Sequence, residues 1–180
     1  MRIILILIFS FFQLILFSQN KFKALDRNKY DLKKNCRIYE YYDEFKKLNY
    51  FKTSDILVSK SMSSYNSLEA TIYKRINNDK DFTYYINFFT DKKECINENS
   101  SVEILFNNGN MIKLPNISNK IECGTGSLNV LLSEVHLSEI KNLEIDKIRV
   151  SFIDRYYDFE IDKNRIIKLI ENLDCLVQID

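Results

Sequence analysis

The stretch VEILFNNGNMIKLP, residues 102–115, decides the fold class. Two apolar runs, Val102 to Phe106 and Met111 to Leu114, flank Asn107-Asn108-Gly109-Asn110. Asn-Gly between such runs is the strongest short-range signal for a β-hairpin, because the tight turn needs residues that tolerate positive φ. The two runs are therefore read as paired antiparallel strands. Pro115, the only proline, ends the second one, since it has no N–H to give to a ladder.

Downstream, Asn116 to Ser127 reads as a loop, Leu128 to Val135 as a strand, and Ser138 as the cap of a short helix carrying Leu137, Ile140 and Leu143 on one face. From Lys147 to Ile153, Ile148, Val150 and Phe152 alternate with Lys147, Arg149 and Ser151. Tyr156 to Ile161 follows across Asp154-Arg155 and makes a second hairpin. The period then changes. Ile166, Ile167, Leu169, Ile170 and Leu173 form a helical stripe opposite Arg165, Lys168, Glu171 and Asn172, with Asp162 as N-cap.

Upstream, Arg37 to Tyr42, Ile56 to Ser59 and Leu68 to Ile76 are short runs rich in tyrosine and β-branched residues, the composition of strands. Phe82 to Phe89 is the most apolar of these runs. Phe82, Tyr84, Ile86 and Phe88 lie on one face and Thr83, Tyr85, Asn87 and Phe89 on the other, which predicts a central strand covered on both sides. Together these elements predict an α+β domain, mainly β: an antiparallel sandwich or roll of about 7–8 strands, with a short helix and a C-terminal helix packed on the sheet.

The chain opens with Arg2 and an apolar run from Ile3 to Phe17 that closes in Ser18-Gln19, the pattern of a secretory signal peptide over residues 1–18. The alternative is an uncleaved anchor held by Lys21, Lys23 and Arg27. The run is shorter than the about 20 residues a spanning helix needs, and Gln13 interrupts it. Residues 19–35 are polar and lysine-rich and read as a leader, so that 36–180 is one disulfide-braced domain. The expected location is secreted or periplasmic.

Cys36, Cys95, Cys123 and Cys175 all follow the leader, and an even number in an exported chain implies disulfides. Cys36 with Cys95 and Cys123 with Cys175 gives two sequential loops; spacing leaves the other two pairings open. Their spacing lacks the close pairs of a structural zinc site. The 26 basic and 25 acidic residues balance, which removes the electrostatic footprint of a nucleic-acid binder. A membrane partner is expected only if the N-terminal segment stays attached.

No catalytic, cofactor or metal constellation emerges. His136 is the single histidine and stands at a helix start, where a capping role is the plainer reading. Cys123-Gly124-Thr125-Gly126-Ser127 lacks the third glycine of a dinucleotide loop and the ending of a P-loop. Asp154, Asp158 and Asp162 recur evenly but fall in a turn, a strand and a cap, so they share no face; Asp43, Glu44 and Asp146 add further scattered carboxylates. Among the eleven tyrosines, Tyr39, Tyr41, Tyr84 and Tyr156 are expected to offer an interaction surface, since tyrosine combines contact area with a polar tip.

The run Val102 to Phe106 with Gly109, then Cys123, Leu137-Ser138, Ile148-Arg149-Val150, Phe159 and Leu173-x-Cys175-Leu176, resembles small exported bacterial proteins of unknown function across the C-terminal half. The resemblance implies a sheet-plus-helix domain bridged at Cys175 and carries no activity and no cofactor. The expectation is a non-enzymatic binding module for a protein or envelope partner. The alternatives are an extracytoplasmic hydrolase drawing carboxylates from several strands, and a carrier of small apolar ligands whose sheet closes into a barrel.

Overall fold

Leu68–Ile76 (β5) and Phe82–Thr90 (β6) are the longest strands, and their alternation builds the core. Leu68, Ala70 and Ile72 of β5, with Tyr84, Ile86 and Phe88 of β6, are all at most 5% exposed and share one face. Ser127–Leu132 (β11) adds Leu128, Val130 and Leu132 to that face, opposite Phe88, Ile86 and Tyr84 in turn. In this computed structural model the described residues are 22–26, 30, 32, 35–60, 67–77 and 81–179. The expected signal peptide, 1–18, lies outside them.

On the other flank of β5, Leu48–Thr53 (β3) pairs with it, and Ile38–Asp43 (β2) and Lys23–Ala24 (β1) follow. Ile56–Leu57 (β4) pairs with the start of β5 beyond the end of β3. The result is an antiparallel seven-stranded sheet of order β1-β2-β3-β5-β6-β11, with β4 beside β5. The described part of 19–35 is more than a leader. Besides β1, Leu25 and Leu32 are buried, and Leu25 donates its N–H to Ile38 O.

A four-stranded sheet orders Tyr156–Glu160 (β13), Ile145–Ser151 (β12), Ser101–Phe106 (β8) and Met111–Pro115 (β9). The Asn-Gly hairpin joins β8 to β9 as the sequence predicts, with Gly109 at φ 84°. Ile104 sits between Ile112 and Ile148 on the buried face, in the alternation of a half-covered sheet. Bridges at Asn116–Val130 and Ser59–Ile161 join the two sheets around one core.

Two α-helices among the described residues close the structure. Glu134–Asn142 (α1) starts five residues earlier than Ser138 would place it, because Ser133 caps it. Lys163–Val177 (α2) is capped by Asp162 as predicted and packs Ile166, Leu169, Leu173 and Leu176 against β2, β3, β4 and β5. Buried Lys74, on the core face of β5, donates to Ile179 O and so ties the end of the chain beneath the sheet.

The cysteine pairing differs from the sequential one. The bridges are Cys36–Cys175 and Cys95–Cys123. Glu122–Cys123 (β10), inside the expected loop, forms a small antiparallel ladder with Cys95–Ile96 (β7), with Cys95 directly opposite Cys123. Cys175 is carried by α2 back across the core to the start of β2, where Cys36 waits. A long-range return of this kind leaves no trace in spacing.

Candidate functional site: the open face of the main sheet

Alternation that sends Ile72, Ile86 and Phe88 inward sends Tyr73, Tyr85 and Phe89 outward. The register then aligns outward side chains across five strands. One row runs Tyr39, Lys52, Tyr73, Tyr85 and Leu131; the next runs Tyr41, Tyr50, Arg75 and Thr83. These tyrosines are half-buried, whereas Phe89 and Leu131 are 46% and 50% exposed. Among the described residues, β6 is therefore closed on one face only, and neighbouring side chains rather than a second layer of strands shelter Tyr85.

The rings hold one another. Tyr73 and Tyr85 stack at 5.0 Å and 3°, and Tyr41 and Tyr50 stack at 6.1 Å and 27°. Phe22 lies against both Tyr41 and Tyr73, with the Lys52 ammonium 5.3 Å from its ring. Paired stacking fixes each ring at little further entropy cost. Beside the tyrosines, Asn87 donates to Ser127 Oγ at 2.7 Å and Asn129 Oδ1 at 3.0 Å, a polar strip between Phe89 and Leu131.

Burial, then the neighbouring phenols of Tyr50 and Tyr73, pushes the Tyr85 hydroxyl up to about 12, against a smaller opposing effect of Arg75. Burial and then Asp55 raise Tyr73 too. The neutral phenol is thus favoured in the fold. That contribution is complete below the unfolded tyrosine value of about 10 and is lost as pH rises toward about 12. In an absorbance titration of tyrosine ionisation, the wild type is expected to show a late phenol that Tyr85→Phe removes. An alkaline limb unchanged by that substitution would contradict the packing described.

Of the expected surface residues, Tyr39 and Tyr41 lie on this face. Tyr84 does not: it is 5% exposed and turned into the core, because its strand phase is that of Ile86 and Phe88. Tyr156 is 60% exposed but belongs to edge strand β13, where Arg149 lies 4.1 Å over its ring. Tyr50, Tyr73 and Tyr85 were absent from the expected set. Alternation carries their signal only weakly, because both faces of Phe82–Thr90 are apolar and the pattern of Leu48–Thr53 places Thr53 inward and Tyr50 outward.

The other candidates take structural places. His136 accepts the Ser133 N–H through Nδ1 at 3.4 Å, while Ser133 Oγ accepts the His136 N–H, a reciprocal helix cap. Asp158 receives two hydrogen bonds from Arg149, at 2.6 and 2.9 Å, which hold its carboxyl below the ordinary range. Asp162 caps α2, and Asp154 lies in the β12–β13 turn. Gly126, at φ 59°, passes so close to Thr90 O that a Cβ would stand 2.0 Å from it, so this glycine serves a backbone crossing. Among the described residues, no three His, Cys, Asp or Glu side chains gather as a metal site would require, and no helix is long and apolar enough to cross a membrane.

No protein-family model, no curated protein and no solved structure matches this chain. The likeness to small exported proteins therefore assigns it no family.

Proposed function

We propose that the protein is an exported, non-enzymatic interaction module that holds a protein partner of the cell envelope or extracellular space on the open face of its main sheet. The observation that carries this reading is the tyrosine array from β2 to β6, pre-packed in stacked pairs and flanked by exposed Phe89 and Leu131. Rigid aromatic side chains with polar tips give much contact area for little ordering cost, which is what a recognition surface requires. Export is supported by the N-terminal apolar run and by two disulfides, which persist in oxidising compartments.

The test places charge on the surface without touching the core. Phe89→Glu and Leu131→Glu together are expected to leave the fold intact by circular dichroism. They should cut retention of the protein in the envelope fraction, or its partner affinity, by at least about tenfold, as for the loss of a contact centre. Met111→Glu, 58% exposed on the small sheet, is the matched control and should change retention little. If the control released the protein and the face variant did not, the working surface would lie elsewhere.

A further inference from the structure

Asn99-Ser100-Ser101 and Asn116-Ile117-Ser118 both have the form Asn-x-Ser with x other than proline. In an exported chain that form is an acceptor for an N-linked glycan, a bulky group that must sit on the surface. The fold treats the two asparagines differently. Asn116 is 6% exposed and its side chain is engaged at both ends: Nδ2 donates to Asn97 O at 3.0 Å, and Oδ1 accepts the Asn129 N–H at 3.2 Å. A glycan there would displace both bonds. Asn99 is exposed, in the turn between β7 and β8. That turn is held by Asn97 Oδ1, which accepts the Asn99 N–H at 2.9 Å, and by Ser100 Oγ, which accepts the Asn97 N–H at 3.1 Å. Through its bond to Asn97 O, buried Asn116 steadies the turn that presents Asn99.

Ser101 supplies a second, independent observation. It opens β8 between Pro115 and Ser151 and is 1% exposed. Among the described residues, its hydroxyl is the one buried side-chain polar atom without a hydrogen-bond partner. An orphaned buried hydroxyl destabilises a fold, so the folded state gives no reason for serine at this place. Glycan transfer does give one, because it reads the hydroxyl two residues after the acceptor asparagine, on the extended chain and before β8 forms.

We propose that Asn99 carries an N-linked glycan and that the Ser101 hydroxyl serves its attachment. This rests on the export reading above, since the donor and its transferase belong to the secretory membrane. The co-reactant is an oligosaccharide joined to a polyprenyl pyrophosphate. Asn99 Nδ2 loses a proton and bonds to the anomeric carbon as that carbon's bond to the pyrophosphate oxygen breaks. The lipid leaves as its pyrophosphate, and nothing is oxidised or reduced.

The test is production of the full chain in a eukaryotic secreting cell line, with mass spectrometry of the disulfide-bonded product from the medium before and after peptide-N-glycosidase treatment. One glycan at Asn99 and none at Asn116 is expected. Asn99→Gln, an exposed turn change, should lose it entirely. Ser101→Ala should lose it too and should melt no lower than enzymatically deglycosylated wild type, since only an unpaired hydroxyl is removed. A lower melting temperature for Ser101→Ala would give the serine a structural role and overturn its assignment. A secreted product bare at Asn99, or glycosylated at Asn116, would overturn the proposal and leave export standing. A chain kept inside the cell with its four thiols free would overturn both together.

Discussion

Replacing Cys36 and Cys175 together by alanine is expected to lower stability by about 4–5 kcal/mol, the chain-entropy value for a loop of this length. The two residues are 139 apart, so their bond constrains nearly the whole described chain in the unfolded ensemble. In a domain of this size that loss lowers the melting temperature by roughly 10–15 °C. The sulfurs are buried, and alanine leaves no unpaired hydroxyl behind, so the change reads the cross-link and little else. Alanine at Cys95 and Cys123, 28 residues apart, should cost less. Denaturant unfolding of both double variants checks the order. If the Cys36–Cys175 pair proved the cheaper to lose, α2 would not be held against the sheet by that bond.

Phe88→Ala should cost about 3–5 kcal/mol, the penalty for deleting a fully buried aromatic ring. Phe88 is 1% exposed and stands between Ala70 of β5 and Leu128 of β11, both fully buried. The small Ala70 gives the ring its space, so no neighbour of similar size can slide in to fill the void. Phe89, its immediate successor, points to the open face and is 46% exposed, and Phe89→Ala should stay within about 1 kcal/mol. The pair therefore reads strand phase directly by urea denaturation. Equal costs would mean that both faces of β6 are covered.

Much of this architecture was legible because it is local. The bounds of β5, the Asn-Gly hairpin and the Asp162-capped helix each rest on residues close in sequence, where periodicity and turn chemistry act. β3 was harder to see: in Leu48–Thr53 the inward residues include Thr53 and the outward ones include Tyr50, so the alternation is blurred. β1, β7 and β10 span two residues each, too few for any period.

The tyrosine surface was half legible. Composition pointed to tyrosine, but choosing Tyr84 over Tyr85 required the phase of β6, which both apolar faces obscured. The disulfides illustrate a different limit. Cys95 meets Cys123 through a two-residue ladder, and Cys36 meets Cys175 only after α2 has folded back over the core.

The working role of the open face is tested most directly by placing a photo-crosslinking phenylalanine derivative at single positions in cells that make the protein. Placed at Tyr50 or Tyr85, it should give a discrete higher-mass product after illumination, one that Phe89→Glu with Leu131→Glu abolishes. At Tyr156 it should give none. A product from Tyr156, with none from Tyr50 or Tyr85, would contradict the assignment of this face.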